Sequence, residues 1–477
     1  MYDLKTAPSQ SILRLTDMIR VLNPSEHHVL EDREITGFCT DSRNLKPGEV
    51  YVAIAGQRVD GHRFVENVQA ADAGACLVSS WDHIADRNGC VLVSDTVAAL
   101  GFLAACHRAS LNTKVIGLTG SVGKTTTKEI LTTLLASIYR TRKSEGNFNS
   151  TIGLPVQLLR LREGDQWMVA EMGMSTPGEI EKLTLMAKPD IGLWTSVEAV
   201  HLANFENIEG IAEAKAELVQ NMAANKTLVY NMDDPLVSRF CGAFPGKKVG
   251  YALFDPDAEV RARIEPFPDW NGTHFDLWIN DSSKLSLHLP MVGRFNVYNA
   301  IAACAAATVA GVPSSELKYS LKGIHALSGR SGLHEYSGDT LLVDDTYNAN
   351  PHAVDQVLRS FATLAPGTWR WILLGDMLEL GPDEEQIHAE LGRQLAGYGF
   401  DRVTLVGPLS AHTHRALSDA SPEGCHIEHF ADAIQAAENL VLEVPDRARI
   451  WAKASRGIQL EQVTRVLCDH LNQNKGI

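Results

Sequence analysis

Paired cysteines, excess positive charge and long apolar runs are the features this chain lacks. Its eight cysteines, Cys39, Cys76, Cys90, Cys106, Cys241, Cys304, Cys425 and Cys468, are scattered with no C-x-x-C pair. Neither a zinc site nor a disulfide framework is expected from that spacing, and reduced cytoplasmic thiols are. Lys and Arg number 43 against 58 Asp and Glu, for a formal net charge of -15. That balance excludes a protein that coats nucleic acid or anionic lipid through bulk charge. An anionic small substrate stays open, because a few local cations and helix N-termini can hold one against the global field. The most apolar stretch, Ala300 to Val312, is alanine-rich and too short to span a bilayer. The start, Met1-Tyr2-Asp3-Leu4-Lys5, leads into mixed polar sequence, so no signal peptide is expected. What remains is ordinary globular material, 45% hydrophobic and 21% charged. The expectation is a cytoplasmic monomer with neither a nucleic-acid partner nor a membrane span.

At roughly 150 residues per domain, 477 residues allow about three domains. β-like runs at Val50–Ile54 and Ala75–Val78 mix with helical stretches over the first hundred residues. Lys114–Thr119 then reads as a buried strand, followed by a helix with Ile130, Leu131, Leu134, Leu135 and Ile138 at helical period. Strands are expected at Trp167–Glu171, Ile191–Ser196 and Thr227–Tyr230, with helices between, the pattern of a doubly wound parallel sheet. Phe275, Leu277, Ile279 and Leu285, Leu287, Leu289 alternate around Asn280–Ser283, which predicts a β-hairpin appended to that sheet. The βα alternation resumes at Leu341–Val343, Trp371–Leu374, Val403–Val406 and Ile450–Ala452, and a closing helix carries Leu460, Val463 and Leu467. The reading is three α/β domains over 1–109, 110–327 and 328–477. The central one is a mostly parallel phosphate-loop domain, and the last is Rossmann-like.

Thr119-Gly120-Ser121-Val122-Gly123-Lys124-Thr125-Thr126 sits between strand and helix, where glycines let backbone N–H groups close around phosphate oxygens. Lys124 can neutralise β/γ charge, and the Thr125 hydroxyl can ligate Mg²⁺. The longer pattern G-x-x-x-x-G-K-[ST] fails because position 118 is Leu, leaving the shorter G-x-x-G-K-T-T. Glu171 ends a strand on the edge where ligands bind in open α/β sheets, and a hard cation suits its carboxylate. His201 follows the next strand on that edge, although a lone histidine is more often structural. In the helix Ile208 to Met222, Glu209, Glu213, Glu217, Gln220 and Asn221 make a polar face. Lys215 instead has Ile211, Ala212, Leu218 and Val219 around it. Desolvation there favours the neutral amine, which can take up carbon dioxide as a carbamate; the competing reading is a snorkelling lysine.

Together these residues resemble the Mur ligases, ATP-dependent amide ligases of peptidoglycan precursor assembly, over nearly the whole chain. Asp41-Ser42-Arg43, Pro47-Gly48 and Asp60-Gly61-His62-Arg63-Phe64 resemble the family's uridine-diphosphate-binding domain, which implies substrate contacts for Ser42 and Arg43. Gly146–Gly153 resembles its substrate-side segment, implying the same for Asn147, Asn149 and Thr151. Lys215 falls at the family's carbamylated lysine, and Glu171 and His201 fall at its metal ligands. Gly293–Ala300 resembles the adenine-binding stretch, where Asn296 and Asn299 amides can read a base edge. Arg330 matches the family arginine that reaches the γ-phosphate, and Asp345 the carboxylate at ribose and hinge. Asp344–Pro351 and Leu374–Gly381 resemble the branch that adds D-alanyl-D-alanine. Asn348 and Asn350, just after a strand end, are placed to meet that dipeptide.

The resemblance implies an ADP-forming ligase joining D-alanyl-D-alanine to a UDP-N-acetylmuramoyl tripeptide through an acyl phosphate. It implies ATP and Mg²⁺, with Lys124, Lys215, Arg330 and His201 as catalytic residues. The alternatives are the ligase adding the third amino acid and a non-catalytic nucleotide-binding homologue. One departure stands out: Lys453-Ala454-Ser455-Arg456 carries Ala454 where the family favours glycine, and a positive φ there would strain the turn.

Overall fold

Val115, Ile116 and Leu118 are β-prone residues buried on both faces of a sheet, and they form the central strand Lys114–Thr119 of a nine-stranded sheet. The computed structural model describes residues 2–29, 31–56, 58–198, 204–265, 270, 272–280, 284–324, 328–364 and 367–473. The strand order runs Leu285–Leu289, Thr273–Ile279, Val260–Ile264, Lys247–Ala252, Thr227–Asn231, Ile191–Trp194, Lys114–Thr119, Trp167–Glu171, Thr141–Lys143. The last seven are mutually parallel, and the first two pair antiparallel. The expected hairpin therefore forms as the sheet's own edge, attached through Val260–Ile264. Of its turn, positions 281–283 lie outside the described residues.

Lys114–Thr119 has Ile191–Trp194 on one side and Trp167–Glu171 on the other. The chain direction across the sheet reverses there, and a crevice opens at the carboxyl ends of strands at such a reversal. The first sheet has five strands between Glu26 and Leu92, and the last has six between Gly332 and Lys453. Each is parallel apart from one antiparallel edge pair.

Several boundaries differ from the sequence reading. The first-domain strand covers Glu49–Val52 and stops short of Ile54, while the third central strand stops at Trp194, two residues short of Ser196. The helix after the phosphate loop is Lys124–Ala136, so Ile138 lies beyond it, 41% exposed, and does not share the buried face of Leu131 and Leu135. The alanine-rich stretch belongs to the buried helix Arg294–Val309, whose small side chains let it pack closely against Lys124–Ala136. No helix among the described residues is long and apolar enough to cross a membrane, and all eight cysteines are free. Ala454 is fully buried, its φ is not positive, and its methyl group lies opposite Gly375, which has no side chain to meet it. The alanine is accommodated without strain.

One apolar core runs continuously from the first domain into the central one. At that seam His107 accepts from Ile12 N at Nδ1 (3.1 Å), and its Nε2 lies 3.0 Å from the Leu161 carbonyl. An acceptor Nδ1 leaves Nε2–H to donate, so the ring is neutral. Burial, opposed by the Leu161 hydrogen bond, holds its pKa below the ordinary value. The unfolded chain then binds the extra proton first. This contribution to stability is complete above the unfolded pKa of about 6.5 and is lost as pH falls through it. Urea melts at pH 7.5 and 5.5 should show the loss. His107→Ala should cost about 2–3 kcal/mol at pH 7.5 through two abandoned buried hydrogen bonds and a cavity, and should flatten the pH dependence. A pH slope unchanged by the substitution would contradict this assignment.

Candidate active site

Gly120 (φ 148°) and Gly123 (φ 80°) shape the turn out of the central strand. A side chain at Gly120 would collide with Thr195 Oγ1, and one at Gly123 with Asn299 Oδ1. Both glycines are therefore needed for conformation and for close approach. The following segment clamps the loop: Ser121 N donates to Ser196 O (2.8 Å), Thr195 Oγ1 donates to Val122 O (2.8 Å), and Glu198 N donates to Ser121 Oγ (2.8 Å). Free N–H groups at the start of Lys124–Ala136 then face outward, a site for phosphate.

Lys124 Nζ donates to the carbonyls of Gly120 (2.6 Å) and Ser121 (3.0 Å). Burial lowers its pKa, the Glu171 carboxylate opposes this, and the nearby Arg330 charge lowers it further. Glu171 is 2% exposed. Its Oε1 accepts from Thr125 Oγ1 (3.2 Å) and Asn149 Nδ2 (2.9 Å). Its Oε2 lies 3.2 Å from Lys128 Nζ but takes part in no hydrogen bond. Burial pushes this carboxyl up, yet Lys128, Lys124 and the Asn149 bond more than offset it and hold it ionised. An ionised buried carboxylate, one of whose oxygens is held by the Lys128 ammonium alone, stands beside a hydroxyl and a phosphate loop and is a fit for a hard divalent cation. Among the described residues no three His, Cys, Asp or Glu side chains cluster, so such an ion depends on hydroxyl and phosphate oxygens as well.

Lys215 stands in the helix Ile208–Asn221, 2% exposed and within electrostatic range of Lys124. Burial, with Lys124 adding its charge, pulls its pKa well below that of a free lysine. The snorkelling alternative does not hold, since the side chain reaches no solvent. His201 lies outside the described residues.

A cleft of about 670 Å³ runs from the phosphate loop to the last domain. Three family descriptions match the chain, the last two of them over the residues that line the cleft: "Mur ligase family, catalytic domain" over 34–101, "Mur ligase middle domain" over 118–307, and "Mur ligase, glutamate ligase domain" over 329–456. The UDP-N-acetylmuramoyl-tripeptide--D-alanyl-D-alanine ligase of Bacillus subtilis is 32% identical over 96% of this chain and 98% of its own. The chain belongs to the Mur ligase family. Among solved structures, MurF from Acinetobacter baumannii superposes with a TM-score of 0.84 at 28% identity, covering 97% of this chain and 100% of that one. MurF ligase from Thermotoga maritima, solved in complex with ADP, gives 0.79 at 27% identity, covering 92% and 98%.

In this Mur ligase, Ser121 to Thr126 line the cleft together with Asn147, Asn149 and Glu171. Gly120 is just behind them. Asn296 and Asn299 also line it, but their amides are engaged: Asn296 Nδ2 donates to Val292 O, and Asn299 Oδ1 accepts from Thr127. Near them Phe254 is 67% exposed with Arg294 over its ring, and the Tyr298 hydroxyl donates to Asp233 (2.8 Å). The last domain contributes Arg330, Asp345, Asn348 and Asn350. Asn350 also caps its helix, accepting from Ala353 N (2.8 Å). Asp345 accepts from Lys453 Nζ (2.6 Å) and Ser331 N. Ser42, Arg43 and Thr151 do not line this cleft. Ser42 and Arg43 start a short 3-10 turn in the first domain, where Asp41 pairs with Arg43 at 2.7 Å.

Sequence reasoning missed Lys128, Lys453 and Glu198. Lys128 was within reach of it, being one helical turn beyond Lys124 on the same face. Glu198 is raised to about 7 by burial and Asp234, and it meets His352 of the last domain at 3.2 Å. No local pattern announces a contact between residues 154 positions apart.

Proposed function

We propose that this enzyme joins D-alanyl-D-alanine to the terminal carboxylate of a UDP-N-acetylmuramoyl tripeptide, with ATP converted to ADP and phosphate. The observation that carries the reading is the shared cleft. A phosphate loop and an ionised buried carboxylate form one wall, and a guanidinium from the last domain reaches the loop lysine. The near-full-length likeness to ligases named for this reaction supplies the substrates.

The tripeptide carboxylate attacks the γ-phosphorus, giving an acyl phosphate and ADP. The dipeptide amine attacks the acyl carbon, loses a proton, and phosphate leaves. Backbone N–H groups of 121–126 bind the phosphates, while Lys124 and Arg330 stabilise the charge that moves onto the transferred group. Thr125, Glu171, His201 and a carbamate on Lys215 would hold Mg²⁺, which would supply charge neutralisation at the phosphates. The carbamate forms when the neutral Lys215 amine adds to carbon dioxide and releases one proton. Asn147, Asn149 and Thr151 meet the tripeptide end, Ser42 and Arg43 the uridine diphosphate, and Asn348 and Asn350 the dipeptide. Asn296, Asn299 and Asp345 shape the nucleoside end. The domain boundaries stand at 109/110 and 327/328, and the protein acts in the cytoplasm as a monomer.

Phosphate release with UDP-muramoyl tripeptide and a panel of amines tests the substrate assignment. D-alanyl-D-alanine should exceed D-alanine by 10³-fold or more in kcat/KM, because a single amino acid leaves buried polar groups unpaired. Preference for a diamino acid added to the UDP-muramoyl dipeptide would move the enzyme one step earlier.

A further inference from the structure

Arg330 and Arg456 converge on one aromatic ring. The Arg330 guanidinium carbon is 4.0 Å from the centre of the Tyr347 ring and that of Arg456 is 5.8 Å from it. Tyr347 lines the cleft. Two guanidiniums held on one ring repel each other, and an anion bound beside them relieves that repulsion. The nearby carboxylates, Asp345 within electrostatic range of Arg330 and Glu461 beside Arg456, meet that need only in part. Asp345 is committed to Lys453 Nζ at 2.6 Å, and among the described residues no carboxylate pairs with Arg330. Arg456 pairs with Glu461 at 2.7 Å, but its side chain is 63% exposed, and such a pair is weak enough to exchange for a better anion.

The segment that carries Arg456 is anchored to the segment that carries Tyr347. Lys453 Nζ donates to Asn348 O (2.9 Å), and Ser455 Oγ donates to Ala349 O (3.2 Å). The backbone that carries Arg456 is therefore set relative to the ring, while its exposed guanidinium stays free to turn toward a ligand.

We infer that Arg456, across Tyr347 from Arg330, binds the free carboxylate of the incoming dipeptide. The dipeptide is a zwitterion whose amine must reach the acyl carbon near Lys124 while its carboxylate needs a cation elsewhere. Two extended residues span about 7 Å, a reach suited to passing from the phosphate end over the Tyr347 ring. Arg330 is occupied with phosphate charge and Lys453 with Asp345, which leaves Arg456. A planar guanidinium also matches a carboxylate in two parallel hydrogen bonds. The inference rests on the dipeptide-adding reading and deepens it into a basis for selecting a dipeptide by its C-terminus.

The test compares D-alanyl-D-alanine with its C-terminal carboxamide on the parent enzyme, Arg456→Ala and Arg456→Lys, measuring kcat and KM for every substrate. The parent should prefer the free acid by about 100-fold in kcat/KM. Arg456→Ala should raise KM for the dipeptide by a similar factor, leave the carboxamide nearly unchanged, and so erase the discrimination. KM for ATP and for the UDP-tripeptide should stay within about twofold, and Arg456→Lys should recover part of the preference. Retained discrimination in Arg456→Ala, or a shift falling on ATP alone, overturns the carboxylate site and leaves the dipeptide assignment standing. A parent that does not use the dipeptide at all overturns both.

Discussion

Lys124→Ala is expected to lower kcat by about 10³-fold or more while the fold and the binding of the UDP-linked substrate persist. The Lys124 ammonium is half-buried at the mouth of the phosphate loop, held by the Gly120 and Ser121 carbonyls with the Glu171 carboxylate as a nearby counter-charge. Phosphate oxygens of a bound nucleotide are stronger partners than two neutral carbonyls, so the ammonium turns to them. During transfer, negative charge spreads over the γ-phosphoryl oxygens, and a fixed cation in a water-poor site lowers that barrier by several kcal/mol. Alanine is compatible with the first turn of Lys124–Ala136, and the loop's shape depends on Gly120, Gly123 and the 195–198 clamp. Single-turnover phosphate release measures the loss, and calorimetry with the UDP-substrate checks the fold. Near-normal turnover would contradict the assignment of the loop.

Lys215→Ala should also lose most activity, by roughly 10²- to 10³-fold, but this variant should be partly rescued by short carboxylic acids. Burial and the neighbouring Lys124 charge both oppose an ammonium at Lys215 and favour the neutral amine that the proposed carbamate requires. The proposed carbamate is an anion in the neighbourhood of Lys124, and it suits a bound cation better than an ammonium does. Acetate or formate diffusing into the space left by Lys215→Ala restores the anion without the tether. Lys215→Arg should stay inactive, because guanidinium remains cationic and forms no carbamate. Full activity in Lys215→Arg, or no response of Lys215→Ala to carboxylates, would show that the lysine serves as packing or as a plain cation.

The phosphate loop, the central strands and the apolar surroundings of Lys215 were legible in the sequence because each is a local pattern. A β-branched run before Gly120, a 3.6-residue period after Lys124, and apolar neighbours at three and four positions all lie within one element. The edge strands were harder. Thr141–Lys143 and His426–Phe430 are short and polar, as exposed edges must be to avoid pairing with another chain, and so they lack the apolar signature of a strand. Contacts between domains were harder still. Arg330 reaching Lys124, Glu198 meeting His352, and Trp270 packing on Phe361 and Trp451 all depend on how separate sheets dock, which no residue window encodes. Ala454 shows the same limit from the other side. Its fit is decided by Gly375 on a different strand.

The central claim is that this cleft activates a tripeptide carboxylate as an acyl phosphate and passes it to D-alanyl-D-alanine. Its most direct test places a heavy-oxygen label in the terminal carboxylate of the UDP-muramoyl tripeptide and follows both products by mass spectrometry after reaction with ATP and the dipeptide. The expected products are a UDP-muramoyl pentapeptide and inorganic phosphate carrying one labelled oxygen, because the carboxylate oxygen that attacked phosphorus leaves with it. Unlabelled phosphate, or label transfer without any pentapeptide, would contradict it.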